Sequence, residues 1–560
     1  MTITFDKYHT YEEVENCLRL FVSKYPNLCT LESLGKSFQG RDIWMLEVTN
    51  KETGSAKDKP GVYIDGNIHA GEVTACETVL WTIDHLLSSY GTHEEITYLL
   101  DVQAFFFVPR IAVDGAEYYL STPCTVRSSV RQWPEEDADE KPGLYPEDID
   151  GNGKILTMRV KDPDGAWKVS SKDPRLMVRR DPNDMPSQNV FYYDVYREGL
   201  IREYDSDLPI KDAPTKYGLD FNRNFPTNWA VRTRQPGSGD YPFSEPEMQC
   251  VADFFRTHPN IVVSMSYHTA GGYILRPFCT KRDGTMDPRD LQIHRTLGEI
   301  GEEITGYPCK SIFEWFTQDQ SRPSVGSALE WFYETLGILS FATELWDLSG
   351  RAGLPKRPSH EYRTMSRRQI EEEGLALLRW NDEVMGGQLF VNWQEFGHPQ
   401  LGKVEIGGWE PKFGRQNPPV RFLEEECRKN GMFAVEIAKS APRIVIDKVD
   451  VEHLQDDLHK IEVYVKNEGY LPTHGAFETL KTNPPGPVKA RLEISKDAPQ
   501  GSLEIVSGKT EQELGHLDGY LLGDDRKKKA TWVVRGKSGT IAEVIATSVR
   551  AGTARRSVEI

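Results

Sequence analysis

The stretch VYIDGNIHAGEVTACETVLWTIDHLL, Val62 to Leu87, changes period in its middle. An apolar run that reads as a buried strand ends at the turn Asp65-Gly66-Asn67. Apolar residues then recur at Val73, Cys76, Val79, Leu80, Ile83, Leu86 and Leu87 with helical spacing. His69 and Glu72 stand where the two patterns meet. A strand handing over to a helix is the building unit of an α/β sheet, and ligands of such sheets gather beyond the carboxyl ends of the strands.

Working outward, the same kind of run recurs. Residues 11 to 25 read as helix, and 29 to 38 and 42 to 50 as strands joined through the turn QGRD. VQAFFFVPRI (102–111), NIVVSMSYHTAGG (260–272) and GILSFATELWD (337–347) are short continuous apolar segments, separated by helical regions such as the one starting in SEPEMQCVADFFRTH. Alternation of this kind predicts an α/β fold over residues 1–440, its sheet covered by helices on both faces. Charge and proline crowd residues 132–215, where helical periodicity is lost, so this segment reads as a long insertion. From about Ser440-Ala441-Pro442 the pattern changes to short alternating strands between Gly, Pro and Asn turns, among them KIEVYVKNEGY, KARLEISK (489–496) and ATWVVRG. That predicts a small all-β, sandwich-like domain over 441–560.

A chain of 560 residues exceeds what one core supports, which agrees with two domains. With 38% apolar and 10% aromatic residues it needs no disulfide or metal to hold it folded. The eight cysteines (17, 29, 76, 124, 250, 279, 309, 427) include no C-x-x-C pair and read as reduced core thiols. The N-terminus lacks a basic segment followed by an apolar one, and no segment approaches twenty uninterrupted apolar residues, so a soluble, cytoplasmic protein is expected. A net charge of -18 opposes binding to nucleic acid or anionic membranes and says nothing about chemistry.

Three sets of residues offer chemistry. His69, Glu72 and His268 are two imidazoles and a carboxylate, which satisfy zinc with one position left for water. Glu344 follows ILSFAT directly, where a carboxylate beside a metal can act as general base. In LDFNRNFPTNW, Arg223 presents a planar fork that matches a carboxylate, Asn222 adds an amide donor, and Asp220 can hold the second ring N–H of a metal-bound histidine. Each also has an ordinary explanation taken singly. Glu72 suits a helix start, His268 a hydrogen-bonded core, Glu344 a strand-end surface, Arg223 and Asp220 a solvated loop. The shared strand-end placement of His69, His268 and Glu344 argues for chemistry.

With these residues assembled, the chain resembles the zinc carboxypeptidases of the M14 (carboxypeptidase A) family over roughly residues 5–430. GNIHAGE is similar to that family's zinc motif, DFNRNFP to its carboxylate clamp, SYHTAGG to its third zinc ligand and FATELWD to its catalytic glutamate, all in the family's order. The resemblance implies a mixed, largely parallel sheet flanked by helices, and one zinc ion bound by His69, Glu72 and His268. It further implies that Glu344 activates the water, that Asn222 and Arg223 hold a terminal carboxylate, and that Asp220 supports a ligand histidine. An arginine polarises the scissile carbonyl in the family; Arg127 is the best match and Arg131 the competitor.

Three departures stand out. An arginine found in many members two residues after the first histidine is Gly71 here. The closing tyrosine of pancreatic-type enzymes has no counterpart in FTQDQSRPSVGSALEWF, where Trp315, Phe316 or Tyr333 are left to line the pocket. Ala328 and Leu329 offer no acid to attract a basic residue. The resemblance starts almost at Met1, so activation by removal of an inhibitory pro-segment is not expected. In the insertion, Asp148, Asp150, Asn152, Gly153 and Ile155 match positions 1, 3, 5, 6 and 8 of a calcium loop. Position 12 is Arg159 in place of the bidentate Glu, so either calcium completed by an acid from elsewhere or a plain Asp/Gly-rich turn fits.

The expected function is a zinc metallocarboxypeptidase acting on peptides with a free C-terminal carboxylate, with no nucleic-acid or membrane partner and an open oligomeric state. Two rivals remain at this point. One is a zinc amidohydrolase on a non-protein carboxylate substrate such as a cell-wall peptide or N-acyl amino acid. The other is a binding protein with a vestigial zinc site, recognition falling to the β-domain.

Overall fold

In a computed structural model, which describes residues 3–134, 138–185, 191–494, 502–521 and 523–560, the apolar runs become strands of one sheet. They are β1 (Cys29–Lys36), β2 (Asp42–Val48), β3 (Gly61–Gly66), β4 (Ala104–Val108), β5 (Ile261–Thr269), β6 (Tyr273–Arg276), β7 (Cys309–Ser311) and β8 (Leu339–Leu345). Their spatial order is β1-β2-β4-β3-β5-β8-β6-β7. The central run β4-β3-β5-β8 is parallel throughout, as is β6-β7, whereas β1-β2, β2-β4 and β8-β6 are antiparallel. The sheet is therefore mixed and largely parallel, as expected.

Every residue of β3, β4, β5 and β8 is buried. Helices on both faces remove the polar side, which is why these strands read as continuous apolar runs. Alternation still sorts the faces: Val62, Ile64, Phe105 and Phe107 join Ile83 and Phe433 in one core, while Tyr63 and Phe106 join Phe254, Phe255 and Phe332 in the other. On the first face helix Val73–Ser89 lies against helix Leu423–Ala438. The approach is close at Gly431, where a Cβ would sit 2.5 Å from the Trp81 ring. Phe433 of the second helix meets Phe341 of β8 with ring centroids 5.8 Å apart, and Phe433→Ala should cost about 3–5 kcal/mol.

The 132–215 segment is more regular than its composition suggests. Thr157–Lys161, Trp167–Val169, Met177–Arg179 and Tyr192–Arg197 form an antiparallel sheet with Phe390–His398 and Gly402–Trp409. Strands of three to six residues carry too little alternation to be read singly, and their partner lies far along the chain. Residues 135–137 and 186–190 of this segment lie outside the described residues.

After residue 440 two four-stranded antiparallel sheets face each other, with Ile461, Val463, Trp532 and Val534 packed against Ala490, Leu492, Val544 and Ala546. The last two residues of the expected strand 489–496 lie outside the described residues. Contacts with the first unit are polar as well as apolar. The buried Arg550 donates to the carbonyl of Gly337 at 2.9 Å, and Asp290 accepts from the amides of Phe477 and Glu478. All eight cysteines are free; Cys29, Cys76, Cys279 and Cys427 are buried and the other four half-buried. Among the described residues no helix is long and apolar enough to cross a membrane.

Candidate active site

Three neighbouring parallel strands build the site. His268 of β5 and Glu344 of β8 stand opposite each other in register, and the chain leaving β3 carries His69 and Glu72 over the same edge of the sheet. The exit from β3 is shaped by Asn67, at φ 57°, a left-handed conformation that Asn tolerates. Its amide donates to the carbonyls of His69 and Ala70 at 2.6 and 3.1 Å, fixing the turn ahead of the helix.

Nδ1 of His69 lies 2.9 Å from Oε1 of Glu72, Nδ1 of His268 lies 2.9 Å from Oε2 of Glu72, and the two Nδ1 atoms are 3.1 Å apart. All three residues are buried, and one donor atom from each falls within 4.8 Å of the others. Zinc bonds of about 2.0–2.2 Å in a tetrahedron set ligand atoms roughly 3.3 Å apart, so the group fits a small cation. The donor set, two neutral nitrogens and one carboxylate oxygen, suits zinc as well. Burial alone would raise the Glu72 carboxyl, but the two imidazoles hold it well below the usual carboxylate range. Burial lowers His268 while Glu72 outweighs it and raises the ring.

The surrounding polar groups are ordered. His69 Nε2 lies 3.1 Å from Oδ1 of Asp220, the support a metal-bound imidazole requires. Asp220 also accepts from Arg127 Nε at 3.0 Å and from the Asn222 amide at 2.9 Å. Despite its burial, Arg127 and His69 hold its carboxyl well below the usual range. Arg127 Nη1 reaches Glu72 Oε1 at 3.4 Å. Arg131, by contrast, is held in a two-point pair by Glu245 at 2.9 and 2.7 Å.

Glu344 is 8% exposed, and among the described residues nothing donates to its carboxylate. Burial, together with the charge of Glu72, pushes it up to about 8 against the pull of His268, Arg127 and Arg223. Arg223 is half-buried, donates to the Asn222 carbonyl, and pairs with no carboxylate among the described residues. Asn222 accepts from the Ala328 amide at 2.8 Å through Oδ1, which leaves its Nδ2 open.

Other sequence candidates fall elsewhere. Tyr333 is fully buried and donates to Asp290 at 2.8 Å, so it does not line an open pocket. Trp315 and Phe316 pack, half-buried, against Tyr273 and Leu329. Ala328 and Leu329 are buried, but the next residue, Glu330, is a buried acid that the sequence reading passed over, pushed up to about 8 by burial and by Glu334.

Gln416 and Asn417 were also missed. A Cβ at Gly71 would lie 2.8 Å from Gln416 Nε2, and Asn417 Nδ2 donates to the Gly71 carbonyl at 2.8 Å. The space beside residue 71 is taken by a side chain from far along the sequence. No local signal marks that contact. In the loop at 148–153, Asp148 accepts from the amides of Asn152 and Gly153, and Glu198 accepts from those of Ile149, Asp150 and Leu156. Asp148, Asp150 and Glu198 bring three carboxylate oxygens within 4.8 Å of one another.

Comparison with known proteins bears on this arrangement. A family model described as "Zinc carboxypeptidase" matches residues 14–373, and one described as a domain of unknown function, DUF8731, matches 443–559. A zinc carboxypeptidase of Saccharothrix mutabilis subsp. capreolus is 34% identical over 126 residues, 22% of this chain and 28% of that protein. Carboxypeptidase A2 of Mus musculus is 32% identical over 362 residues, 61% of this chain and 63% of that protein. The chain thus spans less than two thirds of either relative's own length. The solved structure of carboxypeptidase A from Helicoverpa armigera aligns at a TM-score of 0.39 and 18% identity, covering 69% of this chain and 76% of that one.

Proposed function

The chain belongs to the zinc carboxypeptidase family, and on that premise we propose that it releases C-terminal residues from peptides. His69, Glu72 and His268 are the residues that would hold zinc, with Asp220 fixing the His69 ring. Zinc bound there supplies Lewis acidity to a carbonyl oxygen and to water.

The chain's own groups do the rest. Arg223 takes the terminal carboxylate of the substrate through its fork, and Nδ2 of Asn222 adds a donor. Glu344 accepts a proton from water and returns it to the leaving amine, a role served by a carboxylate to which nothing donates among the described residues. Arg127, anchored to Asp220 and Glu72 through Nε and Nη1, keeps Nη2 for the oxygen on which charge develops. Arg131 is committed to Glu245 and is not assigned that task. The division at 440/441 falls between the helix ending at Ala438 and the strand starting at Ile444, which supports residues 441–560 as a separate β-domain.

The observation that carries the reading is the Arg223 guanidinium beside a two-histidine, one-glutamate cluster, since it asks for a carboxylate that the described residues do not supply. Matched peptides with a free and an amidated C-terminus test it. The free acid should turn over at least about 100-fold faster, the loss expected when a charged clamp is left unpaired. Equal rates would remove the clamp.

A further inference from the structure

A cleft of about 680 Å³ opens beside the six-stranded sheet that the insertion forms with strands Phe390–His398 and Gly402–Trp409. Tyr118, Tyr145, Trp167, Phe390, Trp393 and Trp409 supply its aromatic walls. Two arginines on the cleft lining, Arg197 and Arg415, are exposed, and neither pairs with a carboxylate among the described residues. A third, Arg175, is already satisfied by Asp173 and Asp382. Among the described residues Asp212 is the one acid on the lining. In a chain of net charge -18, two unpaired guanidinium groups on one aromatic cleft are a local reversal of sign.

The cleft adjoins the candidate active site through three segments. Thr125 on its lining precedes Arg127 by two residues, and Tyr217 precedes Asp220 by three. Arg415 is followed by Gln416, whose side chain fills the space beside Gly71, between His69 and Glu72. A peptide whose terminal carboxylate sits at Arg223 has to run its remaining length away from the site. This cleft, with cationic and aromatic walls, is a route that favours acidic side chains.

We propose that the cleft receives the part of a peptide substrate that precedes the cleaved bond, and that Arg415 and Arg197 select acidic side chains there. The proposal rests on the carboxypeptidase reading above. It deepens that reading by giving the insertion a task, since Tyr145, Trp167 and Arg197 all come from it. Arg415 and Arg197 are specificity residues and take no part in the proton transfers.

The test uses the full-length, zinc-loaded protein and peptides sharing one C-terminal residue, with Glu or its neutral isostere Gln scanned through the upstream positions. Binding is read from tryptophan fluorescence in the Glu344→Gln background, and kcat/KM in the parent. At one or more positions Glu should bind about tenfold tighter than Gln and raise kcat/KM alike, as a charge-assisted pair at a partly exposed site allows. Arg415→Gln with Arg197→Gln should bring the ratio towards one, and Arg415→Lys should keep part of it. No preference at any position, or a preference that survives the double substitution, overturns the proposal. A preference in binding without release of terminal residues would sink the carboxypeptidase reading and leave the cleft standing. Release without preference would do the reverse.

Discussion

Asp220 Oδ1 stands 3.1 Å from Nε2 of His69, so the carboxylate fixes the ring whose other nitrogen faces His268 and Glu72. Replacing Asp220 with Asn keeps the shape but removes the charged acceptor that orients the imidazole. Zinc affinity, measured by competition with a chelator, should fall about 10- to 100-fold. An unchanged affinity would mean that His69 needs no such partner, and would weaken its assignment as a ligand.

Glu344 presents, at the edge of the site, a carboxyl with no hydrogen-bond partner among the described residues. Glu344→Gln should retain zinc and lower kcat by about 10²- to 10⁴-fold, the range of a lost general base. Zinc content and turnover of one preparation check both halves. A variant with wild-type kcat would rule out the base assignment.

Gly71 is kept free of a side chain by Gln416 and Tyr119, which a Cβ would approach to 2.8 and 2.9 Å. Gly71→Arg should therefore cost about 1–3 kcal/mol of stability through overpacking. Because the Gln416 side chain is the nearest obstacle, Gly71→Arg with Gln416→Ala should recover much of that loss. Thermal unfolding of the four proteins in this cycle measures the coupling; strictly additive losses would show that the two residues do not compete for one space.

His294 is fully buried beside Tyr333 and Phe341, and burial pushes its pKa down to about 4 from 6.5. Between those values the unfolded chain holds a proton that the folded chain lacks. Acid therefore favours unfolding: the stability is whole above 6.5 and is lost as pH falls through about 4. One such proton gives a slope of about 1.4 kcal/mol per pH unit. His294→Gln should flatten the pH dependence of denaturant midpoints by that amount, and an identical slope in the variant would place the acid sensitivity elsewhere.

Much of this site was legible because its residues lie at the ends of strands that advertise themselves. β3, β5 and β8 are buried along their whole length, so the apolar run simply stops at the functional residue, and the parallel neighbourhood of the three follows from α/β connectivity. Asp220, Asn222 and Arg223 were legible as a cluster of polar types in one short loop. What stayed hidden was non-local. Gln416 reaches Gly71 from the far end of the unit, and Glu198 meets Asp148 across a fold of the insertion. The strands around Trp167 become strands only through pairing with residues some distance away. In the sequence Arg127 led Arg131 only on a loose local match; their partners, Asp220 and Glu72 for Arg127 and Glu245 for Arg131, lie far along the chain from both.

The central claim is that a zinc site built on three strand ends serves a carboxylate clamp at Arg223. Its most direct test is the mass of the products formed when zinc-loaded protein is incubated with a mixed library of unblocked peptides. The account predicts peptides shortened one residue at a time from the C-terminus, with the matching free amino acids. Internal fragments, or no shortening by protein that demonstrably carries zinc, would contradict it.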